Sequence, residues 1–170
     1  MEYARVGASG LKVSRISIGA WLTMGASVAD KTSHQILSMA LDRGINAIDT
    51  ADIYARGEAE QVIGNFIVGK PRHELVISTK CYWPMSDDPN DRGLSRKHLV
   101  ESLHRSLRRL KTDYVDIFYC HRFDAETPLD ETILAMDDLI RQGKALYWGT
   151  SCWSRVQLSD VRARCEALGA

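Results

Sequence analysis

The sequence predicts an α/β fold of the (β/α)8 barrel type, truncated to about five β/α units behind an N-terminal β-hairpin. Three observations predict it. Apolar strand-like runs recur at near-constant intervals, segments with helical apolar spacing lie between them, and the second to fifth runs each end next to a polar residue. The runs are Ile16–Ala20, Ile45–Thr50, Leu75–Lys80, Val115–Cys120 and Ala145–Thr150, with starts 29, 30, 40 and 30 residues apart. Strands alternating with helices in this way call for parallel pairing through right-handed crossovers.

The elements follow in order. The turn GASG, between short β-prone pieces, predicts a hairpin within residues 1–14, leaving 15–170 for the strands and helices of one incomplete barrel domain. Ile36, Leu37, Ala40 and Leu41 form a helical stripe before Gly44, and Val62, Ile63, Phe66 and Ile67 form another before Gly69. Ser95 is placed to cap a third helix striped by Leu99, Leu103, Leu107 and Leu110. Thr127-Pro128 opens a fourth, with Pro at the first helical position, and Gly143 closes it. Ser154 is placed to cap a fifth, striped by Leu158, Val161, Cys165 and Leu168. The one long interval holds CYWPMSDDPNDRG, whose Pro, Gly and Asp predict a surface loop on the face where strands end.

Composition narrows the function classes. Lys plus Arg and Asp plus Glu number 22 each, so no basic excess favours nucleic acid or a membrane surface. No apolar run approaches the ~20 residues that span a bilayer, and MEYARVGASG lacks the apolar core of a signal peptide. Cys81, Cys120, Cys152 and Cys165 form no CxxC pair, which predicts reduced thiols and a cytoplasmic protein.

Two α/β architectures compete. A doubly wound nucleotide-binding sheet places a G-x-G-x-x-G turn after its first strand, and GAWLTMGASV lacks that spacing. A barrel places its chemistry at the carboxyl ends of many strands. Counting by twos along the strands puts Ile45, Ala47 and Asp49 on one face, and likewise Val76, Ser78 and Lys80. Ile117, Tyr119 and His121 share a face, as do Tyr147, Gly149 and Ser151. Pointing inward, these faces bring Asp49, Lys80, His121 and Ser151 to one rim, with Tyr54 in the loop above them. Taken singly, Asp49 reads equally well as a helix cap, Lys80 as a solvated lysine, His121 as a structural histidine and Tyr54 as a packed aromatic. The joint pattern favours chemistry. Alternation puts Cys81, Cys120 and Cys152 on the opposite face, as buried structural thiols.

The segments DTADIY, STK and CHRFD resemble those that carry the catalytic tetrad of aldo-keto reductases. GLSRKHLVESLHRSLRRLKTDYVDIFYCHR and ALYWGTSCWS are similar to the branch that contains the potassium-channel β-subunits. The resemblance runs from about Gly10 to the last residue. It implies Tyr54 as the acid, with Asp49, Lys80 and His121 completing the tetrad. Where the channel subunits typically carry Asn, this sequence keeps His121, which favours the enzymatic side. The resemblance also implies NADP(H) as cofactor, with Ala20, Trp21, Asp49, His121, Ser151 and Cys152 near its nicotinamide end. Cys152 stands where the channel subunits have Arg, a departure at one polar contact.

The chemistry fits those residue types. Carbonyl reduction needs a hydride donor that no side chain provides, so a nicotinamide cofactor is implied. A free phenol, with pKa near ~10, is a weak acid at neutral pH; the Lys80 ammonium is expected to lower the Tyr54 value toward the working range. Asp49 is expected to orient Lys80, and His121 to hydrogen-bond the carbonyl oxygen. Trp83 and Pro84, in the long loop, read at least as well as a packed loop segment as they do as a border of the substrate pocket.

A closed barrel runs to ~250 residues and at least ~200, so the resemblance covers about half of a family member. The first and fifth strands are then open edges, and open edges pair with other chains. The expectation is an NADP-dependent reductase of aldehydes or ketones that acts on a small-molecule carbonyl, with no nucleic-acid partner and no membrane insertion, and that self-associates through its edges. The alternatives are a catalytically weak NADP(H)-sensing subunit or an inactive fragment.

Overall fold

A computed structural model describes residues 1–170. Strands β1 (Tyr3–Arg5) and β2 (Lys12–Ser14) pair antiparallel, the hairpin that the GASG turn predicts. Five further strands, β3 (Ile18–Gly19), β4 (Ala47–Asp49), β5 (Val76–Cys81), β6 (Val115–Cys120) and β7 (Ala145–Thr150), form one parallel sheet in chain order. Between and after them come α1 (Asp30–Asp42), α2 (Glu58–Ile67), α3 (Arg96–Leu110), α4 (Leu129–Arg141) and α5 (Arg155–Leu168). Unbroken sequential order is what a barrel requires; a doubly wound sheet reverses direction at a switch point.

β3 and β4 are shorter than the sequence predicts, because the hairpin claims the residues ahead of each. The Ser14 N–H donates to Asn46 Oδ1 at 2.8 Å, and the Asn46 N–H donates to Ser14 Oγ at 3.2 Å. Arg15 N–H donates to the Glu2 carbonyl at 3.0 Å, and Ser14 Oγ donates to the Ile16 carbonyl at 2.7 Å. The hairpin is thereby fastened to the amino end of the sheet, opposite the face where the polar residues gather.

Helix boundaries follow their caps. Ser95 Oγ accepts from the His98 N–H at 3.2 Å, and Ser154 and Gln157 form a reciprocal capping box at α5. Gly44, Gly69 and Gly143, each with φ between 68° and 81°, follow α1, α2 and α4 in the left-handed region that ends helices. Pro128 differs from expectation. It is the residue before α4, with an extended ψ of 127°, and Leu129 is the first helical position.

The outward side chains of the sheet, Ile48, Ile77 and Phe118, pack beneath Ile63 of α2, Leu99, Leu103 and Leu110 of α3, and Ile133 and Leu139 of α4. Each such burial contributes about 1.5–3 kcal/mol. α2 and α3 touch so closely that a Cβ at Gly64 would lie 2.1 Å from the Arg109 carbonyl oxygen. Beside that contact, the fully buried Glu60 accepts from Arg109 Nε at 2.7 Å and from Thr79 Oγ1 at 2.5 Å, tying both helices to β5.

Candidate active site

Strand register brings the polar ends together. Asp49 lies opposite Ser78, and Lys80 opposite Tyr119, which in turn lies opposite Gly149. At Gly149 an added Cβ would stand 2.7 Å from the Tyr119 ring, so the Tyr119 side chain lies where only glycine leaves room. Ser78 Oγ donates to Asp49 Oδ1 at 2.5 Å, and Lys80 Nζ donates to Asp49 Oδ2 at 2.6 Å and to the Thr50 carbonyl at 2.7 Å. Lys80 is thereby held in one place with only 7% of its surface exposed.

Tyr54 opens a single turn of 3₁₀ helix in which Ala55, Arg56 and Gly57 all have positive φ. This kink folds Tyr54 back over the strand ends. Its ring lies 5.0 Å from Lys80 Nζ, edge-on to His121 with centroids 5.8 Å apart, and 6.4 Å from Trp21 in a stacked arrangement. Non-glycine residues with positive φ are uncommon and gather at functional sites; Leu22, Ala55 and Cys152 all line the same cavity as Tyr54.

That cavity, of about 500 Å³, is also lined by Trp21, Trp83, His121, Arg122 and Ser151. Asp49 and Lys80 do not line it: Lys80 Nζ lies behind the Tyr54 ring, and Asp49 lines a separate cavity with Gly19, Ser78 and Tyr119. Trp21 is 65% exposed, an open aromatic face at the mouth. Ala20 does not line the cavity: it is buried, and its carbonyl accepts from Thr23 Oγ1 and from the Thr23 and Met24 N–H groups. Arg122, which the sequence reading left unassigned, stacks its guanidinium 5.4 Å from the Trp83 ring and donates to the His121 carbonyl at 2.7 Å. Its signal was its place one residue past His121, on a cavity wall.

Two expectations need correction. Cys81 and Cys120 are buried behind the sheet, but Cys152 is exposed and faces the cavity. Strand alternation stops at Thr150, and the φ of 58° at Cys152 turns its side chain toward the mouth. The second concerns Tyr54. Burial, and then the Asp49 carboxylate, push its pKa above 10, with Arg122 opposing. Lys80, paired with Asp49 at 2.6 Å, is not among the groups that lower it.

His121 is held neutral. Burial first, then the Lys80 and Arg122 charges, lower its pKa to about 4 against the pull of Asp49. Its Nδ1 is buried without a hydrogen-bond partner, and its backbone N–H donates to the Cys81 carbonyl at 3.1 Å. A neutral imidazole, a protonated phenol and a guanidinium thus face one cavity, backed by the buried Lys80 and its partly exposed partner Asp49.

Sequential parallel strands with polar residues at their carboxyl ends define the (β/α) barrel class of protein, built around a strand-end site. The model of the Aldo/keto reductase family matches residues 15–167, and the chain belongs to that family. It is 48% identical, over 99% of its length, to proteins described as probable voltage-gated potassium channel subunit beta from Arabidopsis thaliana and from Oryza sativa subsp. japonica. It covers 52% and 53% of those proteins, so the chain spans about half the length of the curated relatives it matches. A crystal structure of a thermostable aldo-keto reductase in complex with the inhibitor epalrestat superposes with a TM-score of 0.85 at 33% identity, covering 96% of this chain and 58% of that one.

Proposed function

We propose that the protein is an NADPH-dependent reductase of small aldehydes and ketones, acting in the cytoplasm. The observation that carries this reading is that Tyr54 and His121 line one cavity while the Lys80–Asp49 pair stands directly behind Tyr54, with Lys80 Nζ 5.0 Å from its ring. The side chains suit a nicotinamide. Trp21 offers an open aromatic face, and the Ser151 hydroxyl has only Cys152 Sγ, at 3.7 Å, as a neighbouring partner. Trp21, Ser151 and Cys152 would hold the ring and its carboxamide, with Ala20 supporting them only from the core. Bound there, reduced nicotinamide supplies the hydride that no side chain has.

The chain's own residues do the rest. The Tyr54 hydroxyl gives its proton to the carbonyl oxygen as alkoxide charge develops. Neutral His121 donates a hydrogen bond to the same oxygen, and Asp49 keeps Lys80 beneath the phenol ring. Tyr54→Phe is expected to abolish NADPH oxidation by a reactive aldehyde while leaving the circular dichroism spectrum unchanged. Near-wild-type turnover by that variant would remove Tyr54 from the mechanism.

A second reading is a cofactor-sensing subunit with little turnover. The raised Tyr54 pKa favours it, since a weaker acid slows proton delivery, and so does the description of the plant relatives as channel subunits. Cofactor binding without turnover is its signature.

A further inference from the structure

Polar atoms left over by hydrogen bonding are concentrated behind the strand ends. Asp52 Oδ1 and both ring nitrogens of His98 are buried without a partner, three of the eight such side-chain atoms. Asp52, Cys81 and His98 are each completely buried. They come from three elements: the loop after β4, the last position of β5 and the first turn of α3. One carboxylate oxygen, the thiol sulfur and one ring nitrogen all lie within 4.8 Å of one another. Buried groups of this kind are nearly always satisfied, so a cluster that is not calls for a missing partner.

We propose that Asp52, Cys81 and His98 form a binding site for a divalent cation of the zinc class. Thiolate, imidazole and carboxylate together are a zinc donor set, and three protein ligands leave a fourth position for water. Thiolate and carboxylate balance the two positive charges, so the loaded site is neutral, as a buried site must be to escape a large desolvation penalty. Binding releases the Cys81 thiol proton to solvent. With zinc bonds of ~2.0–2.3 Å, ligand atoms around a tetrahedral ion stand roughly 3.3–3.8 Å apart. Closing the cluster therefore takes side-chain shifts of about 1 Å.

The surroundings orient the ligands. Ser102 Oγ donates to Asp52 Oδ2 at 2.8 Å, which leaves Oδ1 as the ligand. His98 Nδ1 faces Asp91 Oδ1 at 3.5 Å, within ion-pair range but without a hydrogen bond, so Nε2 is the nitrogen assigned to the cation. A carboxylate behind a metal-binding histidine is the usual second partner, and Asp91 is itself fixed by Arg105. Cys81 follows Lys80, and Asp52 precedes Tyr54 by two residues, so the cation ties both of those backbones to α3. The competing arrangement is a shared proton in place of a cation.

Cobalt is the probe. Titration of the reduced full chain with Co²⁺ is expected to produce a thiolate-to-cobalt charge-transfer band that saturates at one equivalent and is displaced by Zn²⁺. A variant with Cys120, Cys152 and Cys165 all changed to Ala, leaving Cys81 as the only thiol, is expected to keep the band. Cys81→Ala and His98→Gln are expected to lose it. Asp91→Asn, which leaves all three ligands in place, is expected to weaken cobalt binding by about 10–100-fold. No band with the wild-type chain, or a band that survives Cys81→Ala, would overturn the proposal and leave the shared proton. If the ligand variants do not fold, loss of the band in the triple variant or unchanged affinity in Asp91→Asn overturns it equally.

Discussion

Tyr54 feels burial and the Asp49 carboxylate, which raise its pKa, and the Arg122 guanidinium, which lowers it. Asp49→Asn is therefore expected to move the Tyr54 titration down toward 10, as followed by NMR of ring-labelled tyrosine; no movement would contradict this balance. His121 supplies a stability prediction. Its folded pKa of about 4 lies below the ordinary 6.5, so the unfolded chain takes up the proton first as pH falls. The stability from the neutral ring is complete above about pH 6.5 and is lost as pH falls toward 4. His121→Asn is expected to flatten the dependence of urea-unfolding free energy on pH across that window, and an unchanged slope would contradict it. The placement of Asp49, Lys80 and His121 was legible because period-2 alternation holds along β4 and β5 and one residue past the end of β6. After β7 it does not hold. Cys152 turns on its left-handed backbone, and neither that turn nor the charge competition at Tyr54 is written in residue spacing.

α2 and α3 depend on two features at their crossing. Gly64→Ala would drive a methyl into the Arg109 carbonyl, and overpacking of this kind costs about 1–3 kcal/mol or more. Glu60→Ala removes one partner of a buried pair and is expected to cost about 3–5 kcal/mol. Both are read by denaturant midpoint; a loss under 0.5 kcal/mol, roughly that of an ordinary surface change, would contradict the packing described. β6 and β7 coincide with their apolar runs, and α3 and α5 begin at the serines that cap them, because local chemistry decides those boundaries. β3 shrank to two residues for a tertiary reason, the engagement of residues 14–16 with the hairpin, which no local pattern reports. Glu60 was invisible for a similar reason. In sequence it is one more charge in a polar helix turn, and only the approach of Arg109 and Thr79 makes it a buried anchor.

The sheet as a whole is open, with β3 and β7 each paired on one side only. Exposed apolar side chains gather on the flanking elements: Ile36 and Met39 on α1, Leu146 on β7, and Val156, Leu158 and Leu168 on α5. No helix is long and apolar enough to cross a membrane. In the 170-residue chain taken by itself, edges and apolar flanks of this kind favour pairing between copies. We expect concentration-dependent association by light scattering, whereas a well-folded monomer at all concentrations would contradict it. Parallel order and the hairpin were readable from the repeat of strand and helix, but the fate of the open edges is a property of surfaces that appear only on folding. The central claim, that the gathered side chains form a working reductase site, is tested most directly by fluorescence titration with NADPH followed by addition of a reactive aldehyde. The account predicts saturable binding and NADPH oxidation that disappears in Tyr54→Phe. Binding without oxidation in the wild-type chain would favour the sensing subunit, and neither binding nor oxidation would contradict the account outright.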